Sequence, residues 1–141
     1  MDEYVNTGVY LRRLWDELRY NMELQLSKKG YHDVTPSHGW VLYNTKDSGS
    51  RITELAAMAK ITKQSMSALA GQMEEAGYIK RKPDPSDKRA SLIVLTSKGK
   101  KMKELGQMIN KEYEKQWQKK LGDKDYHTLR LLLQKLSENN V

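Results

Sequence analysis

The 141-residue chain contains no cysteine. Disulfides, thiol-based redox sensing, cysteine nucleophiles and cysteine-ligated zinc are thereby excluded. No apolar run approaches the roughly 18 residues of a membrane-spanning helix. The opening segment, Met1 to Asn6, carries acids rather than a basic stretch followed by an apolar one. No secretory signal is expected, and the protein is expected to be cytoplasmic. Histidine is scarce, at three. His32 and His38 straddle a helix start, a poor spacing for two metal ligands. Asp123, Asp125 and His127 lie close together, but acids in the first turn of a helix are the ordinary partners of its dipole. No phosphate-binding loop, dinucleotide fingerprint, His-Glu-x-x-His or nucleophile elbow occurs. No cofactor or metal is expected, and the chain does not read as an enzyme.

What is abundant is charge, at 30% of residues, against 38% hydrophobic and a mean hydropathy of -0.82. A chain of this length hides roughly 68% of its unfolded surface, enough for one economical core. The net charge of +7 is unevenly placed. Residues 1–50 hold six basic and seven acidic side chains, and residues 104–141 hold seven and six. Residues 51–103 hold twelve and five, which is the whole excess of +7. A basic segment between neutral flanks is the electrostatic footprint of a polyanion-binding module on a neutral scaffold.

Spacing supplies the elements. Leu11, Leu14, Trp15, Leu18, Met22 and Leu26 recur at three and four, predicting a helix over 8–28 that stops at Gly30. Thr35-Pro36 starts a second helix, to about Thr45. Thr53 caps a short helix ending near Lys60, and Thr62 caps another, running to Ala76 with Gly77 as its stop. Tyr78 to Lys82 and Ser91 to Leu95 read as strands, and Pro83 to Ala90 as a protruding turn. Thr96 caps a long helix to Leu121. Gly122-Asp123 breaks it, and a last helix over 123–137 carries Leu129, Leu132, Leu133 and Leu136.

Two short helices joined by a tight turn, then a hairpin with a basic tip, describe a winged helix-turn-helix. Leu55, Ala56 and Ala59 are expected to face Ile61, Met66 and Leu69. Lys63, Gln64, Ser65 and Ser67 would then project from the N-terminal half of the second helix, with groups that read base edges and phosphates. Lys80, Arg81, Lys82, Lys88 and Arg89 surround the hairpin turn. Arg89 suits a narrow minor groove, and Asp87 is expected to orient its guanidinium, the alternative being an Asp that stabilises its own turn.

Here the sequence resembles the MarR family of bacterial transcriptional regulators. The likeness is carried by Ile52-Thr53-Glu54-Leu55-Ala56, by Thr62 to Ser67, and by Gly77 to Ala90 followed by Leu95-Thr96-Ser97-Lys98-Gly99. The resemblance implies a mainly α fold with a small β wing. Residues 1–34 would form an N-terminal dimerisation helix, 35–95 the winged lobe, and 96–141 two C-terminal dimerisation helices. It implies a homodimer on a pseudo-palindromic operator in double-stranded DNA, a repressor, with Gln64, Ser65 and Ser67 on bases, Lys63 on phosphate and Arg89 in the minor groove. It also implies a small aromatic or anionic effector, for which Arg12, Trp15, Arg19, His38, Trp40 and Tyr43 have the chemistry. The chain departs from the family pattern at Lys60, where such sequences commonly have Gly, and at Ala68 and Gly71, where they often have Arg and Asp. The alternatives are a double-stranded RNA or non-specific nucleic-acid binder, which would show no preferred sequence, and a protein-docking winged helix, which would show no salt-steep DNA affinity.

Overall fold

The structure is a computed structural model and describes residues 2–138. Helix α1 spans Thr7–Lys28, started by the Asn6 side chain accepting from the Val9 amide at 3.2 Å. Helix α2 spans Pro36–Asn44. Its cap is reciprocal: Thr35 Oγ1 accepts from the His38 amide, and His38 Nδ1 accepts from the Thr35 amide at 3.0 Å. Histidine thus takes the place that Glu or Gln usually fills in this motif. Helices α3 (Ile52–Ala59) and α4 (Lys63–Glu75) follow, then strands β1 (Ile79–Asp84) and β2 (Asp87–Leu95). Helices α5 (Ser97–Leu121) and α6 (Asp123–Ser137) complete the chain. Among the described residues, no helix is long and apolar enough to cross a membrane.

Strands β1 and β2 pair antiparallel from Ile79↔Leu95 to Pro83↔Ser91, and Ser50 bridges to Ile93 on the other side of β2. This makes β1 an edge. The wing strands are longer than the sequence suggests, because an edge strand tolerates the missing amide of Pro83. The Ser50 bridge also moves the start of α3. The helix begins at Ile52 after Arg51, not at a Thr53 cap, because the chain leaves the sheet only one residue earlier.

The core joins the lobe to the long helices. Leu55, Met66, Met73, Ile79 and Ile93 are buried together, with Val41 and Leu42 of α2, Leu26 of α1, and Met102 and Ile109 of α5. Ile61, expected to face inward, is exposed, whereas Ala70 and Met73, further along α4, are buried. Helix α6 packs on α5, where Arg130 pairs with Glu114 at 3.1 Å, but buries no residue of its own.

Candidate nucleic-acid interface

Helices α3 and α4 meet through Leu55, Ala56, Met66 and Ala70. The turn between them closes at Lys60, the only non-glycine among the described residues with a positive φ, at 56°. Its left-handed backbone lets the Ile61 amide reach the Ala56 carbonyl at 3.1 Å and sets the angle at which α4 leaves. The Thr62 hydroxyl then caps α4, accepting from the Ser65 amide at 3.0 Å and donating to Ser65 Oγ at 2.9 Å. With Met66 inward, Lys63, Gln64 and Ser65 are exposed on the opposite face and Ser67 is half-buried. Gly71 meets nothing within 4 Å of where a Cβ would stand, so its backbone is unconstrained by packing.

The wing is built on Asp84, which the sequence reading passed over as part of a turn. It is buried, at 5% exposure. Its Oδ1 accepts from the Ser86 amide at 2.9 Å and the Ser86 hydroxyl at 2.8 Å, and its Oδ2 from Arg51 Nε at 2.7 Å. The hydrogen bonds from the Ser86 amide and hydroxyl, then those from Arg51, hold its carboxyl below the usual carboxylate range against the opposing effect of burial. Arg51 also reaches Ser86 Oγ at 3.1 Å, tying the start of α3 to the hairpin tip. Asp and Pro open this turn as a type I turn favours.

Asp87 does not hold the Arg89 guanidinium. Its Oδ1 accepts from the Arg89 backbone amide at 2.9 Å, so it shapes the strand start. A short carboxylate two residues before an amide closes this local ring more easily than it reaches a long side chain beyond. Lys88 and Arg89 are exposed at the tip. Arg81 points to the other side of the wing, 3.6 Å from Glu74 of α4, while Lys80 and Lys82 share the outer face, as alternation requires.

The six residues with effector chemistry are not gathered in this chain. Arg12 pairs with Asp16 at 3.0 Å, Arg19 lies 4.0 Å from the same carboxylate, and Trp15 is half-exposed. His38 is spent on its cap. Trp40 packs on the core, and Tyr43 is exposed with Lys103 Nζ 5.7 Å above its ring. A cavity of about 220 Å³ opens elsewhere, lined by Tyr31, Tyr78, Lys98, Lys101, Met102 and Leu105. Lys98 has two further contacts: Nζ donates to the Ala76 carbonyl at 2.6 Å and sits 4.6 Å above the Tyr78 ring. It thereby clasps the end of α4 to the first turn of α5. Thr96 Oγ1 donates to the Gly77 carbonyl beside it, and a Cβ on Gly99 would overlap the Tyr78 carbonyl oxygen.

A recognition-type helix, a wing of two strands and a long following helix in this order can be compared with known proteins. Residues 32–90 match the MarR family model. The whole chain shares the fold of the MarR proteins. It covers 96% of its length on wild-type apo MarR from E. coli and 100% of that chain, at 22% identity and a TM-score of 0.76. S. aureus MepR, solved as a complex with DNA, is 23% identical with a TM-score of 0.72, over 94% of this chain and 97% of that one. CouR from Rhodococcus jostii RHA1, solved with p-coumaroyl-CoA, is 20% identical with a TM-score of 0.74, over 96% and 94%. None of the curated proteins matches the sequence.

Proposed function

We propose that the protein is a homodimeric, sequence-specific DNA-binding transcriptional repressor acting on a pseudo-palindromic operator. The observation that carries this reading is the pairing, on one MarR-type lobe, of an exposed α4 N-terminus bearing Lys63, Gln64 and Ser65 with a wing tip bearing Lys88 and Arg89. Gln64, Ser65 and Ser67 would read bases in the major groove, Lys63 would bind phosphate, and Arg89 would enter the adjacent minor groove. MepR, of the same fold, was solved on DNA.

Dimerisation through residues 1–34 and 96–141 is supported by the surface those segments leave open. Leu131, Leu132 and Leu136 of α6 are 53%, 55% and 82% exposed, and Leu11 and Trp15 of α1 are half-exposed. A second copy is the economical cover for such faces. Two lobes would then meet half-sites about one helical turn, roughly 34–36 Å, apart.

The effector is a small aromatic or anionic molecule, and the Tyr31–Tyr78–Lys98–Lys101 cavity suits it better than the scattered residues of α1 and α2. An anion there would draw the Lys98 ammonium away from the Ala76 carbonyl and loosen the end of the recognition helix. CouR, of the same fold, was solved bound to p-coumaroyl-CoA. The test of the function is selection from a randomised double-stranded DNA pool. A pseudo-palindrome should be enriched; salt-steep binding with no enriched sequence would refute sequence-specific regulation.

A further inference from the structure

A second cavity, of about 260 Å³, lies on the outer face of the wing. Four lysines line it: Lys46 from the α2–α3 loop, Lys80 and Lys82 from β1, and Lys100 from the first turn of α5. Asp47 is the one acid in its lining, and Val94 and Leu95 are its apolar members. Lys46 lies 4.0 Å from Glu54, while Lys80, Lys82 and Lys100 have no ion pair among the described residues. The loop is held over the sheet at Gly49, where φ is +102° and a Cβ would come within 3.0 Å of Leu92. Four cations from three separate segments are thus brought together by tertiary structure, not by a run of lysine in the sequence.

We propose that this cavity binds a small, multiply charged phosphate anion of the diphosphate class. With Glu54 beside Lys46, the lysines still outnumber the neighbouring acids, Asp47 and Glu54, by two, and a small space with a cationic excess calls for an anion of high charge density. Lysine binds phosphate as a point charge and needs no fixed fork geometry, which suits an open site of this kind. A bound anion would occupy Lys80 and Lys82 of the wing and so weaken operator binding; that consequence rests on the DNA-binding reading, whereas the anion site itself does not.

Calorimetry of the full-length protein with inorganic pyrophosphate, at constant ionic strength set by NaCl, tests the site. One saturable ion per chain is expected. Lys46→Gln with Lys100→Gln should weaken it roughly tenfold, the scale for losing two partly exposed charge contacts. A charge-matched control, Lys119→Gln with Lys120→Gln at the far end of α5, should leave it unchanged. In parallel, pyrophosphate should lower operator affinity beyond the effect of equal ionic strength in the wild type and not in the Lys46/Lys100 variant. Absence of saturable binding, or equal weakening in both variants, would overturn the proposal. If the Lys46/Lys100 variant lost operator affinity while the wild type bound no pyrophosphate, the cavity would be part of the DNA track and the proposal would again fail. Operator binding by the wild type without pyrophosphate is read separately, so failure of the anion site is distinct from failure of the DNA-binding reading.

Discussion

Lys60 holds a backbone conformation, φ 56° and ψ 41°, that its side chain opposes. The left-handed region costs an L-residue about 1–2 kcal/mol. Glycine removes that cost but adds freedom to the unfolded chain, which offsets about 0.5–1 kcal/mol. Lys60→Gly should therefore stabilise the protein by about 0.5–1 kcal/mol. For a chain near this size, 1 kcal/mol corresponds to about 2–4 °C, so Tm should rise by about 1–4 °C. Lys60→Ala is the control, since it loses the same ammonium and keeps the same strain. The assay is reversible denaturation at fixed protein concentration, followed by tryptophan fluorescence, with the slope m compared to confirm that the unfolded state is unchanged. If the glycine variant is no more stable than the alanine variant, the left-handed turn is not strained and the reasoning fails.

Arg89→Ala should weaken operator binding and reduce the salt slope by about 1, measured by fluorescence anisotropy across a salt series. Gln64→Ala should relax base preference and cost roughly 1–3 kcal/mol on the best operator, read by repeating the selection. Asp84 has a lowered carboxyl pKa in the folded protein, so the stability it contributes is present above the unfolded value, about 3.9, and is lost as pH falls through the lower folded one. Asp84→Asn should accordingly flatten the acid limb of the stability profile and speed proteolysis at Pro85-Ser86, because Arg51 loses its charged partner. Leu132→Glu with Leu136→Glu should shift sedimentation toward monomer by more than about tenfold in dissociation constant, since each buried leucine is worth about 1.5–3 kcal/mol.

Local chemistry made much of this fold legible in the sequence. Thr35, Thr62 and Thr96 each announce a helix that their hydroxyls do cap, because a cap needs only neighbours three residues away. The strain at Lys60 was legible too, as a lysine where the turn asks for glycine. Long-range partnerships were not. Arg51 and Asp84 are 33 residues apart, and no periodicity links a residue before α3 to the tip of a hairpin. Pro83 read as the start of a protruding turn, because the edge position that lets it sit in a strand is a property of the whole sheet. Asp87 was legible as a polar partner of Arg89, but it accepts from that residue's backbone amide rather than from its guanidinium. The Lys98 clasp and the two cavities combine side chains from segments far apart in the chain, so their chemistry appears only when the lobe and α5 are docked.

The central claim is sequence-specific DNA binding, and the most direct test is the affinity of the selected duplex and of a shuffled duplex of equal composition between 50 and 200 mM salt. Six to ten phosphate contacts should cost about 10³–10⁵ in affinity over that range. At physiological salt the selected duplex should bind about 10³-fold or more tighter than the shuffled one. Equal affinity for the two duplexes, or affinity indifferent to salt, would contradict the account.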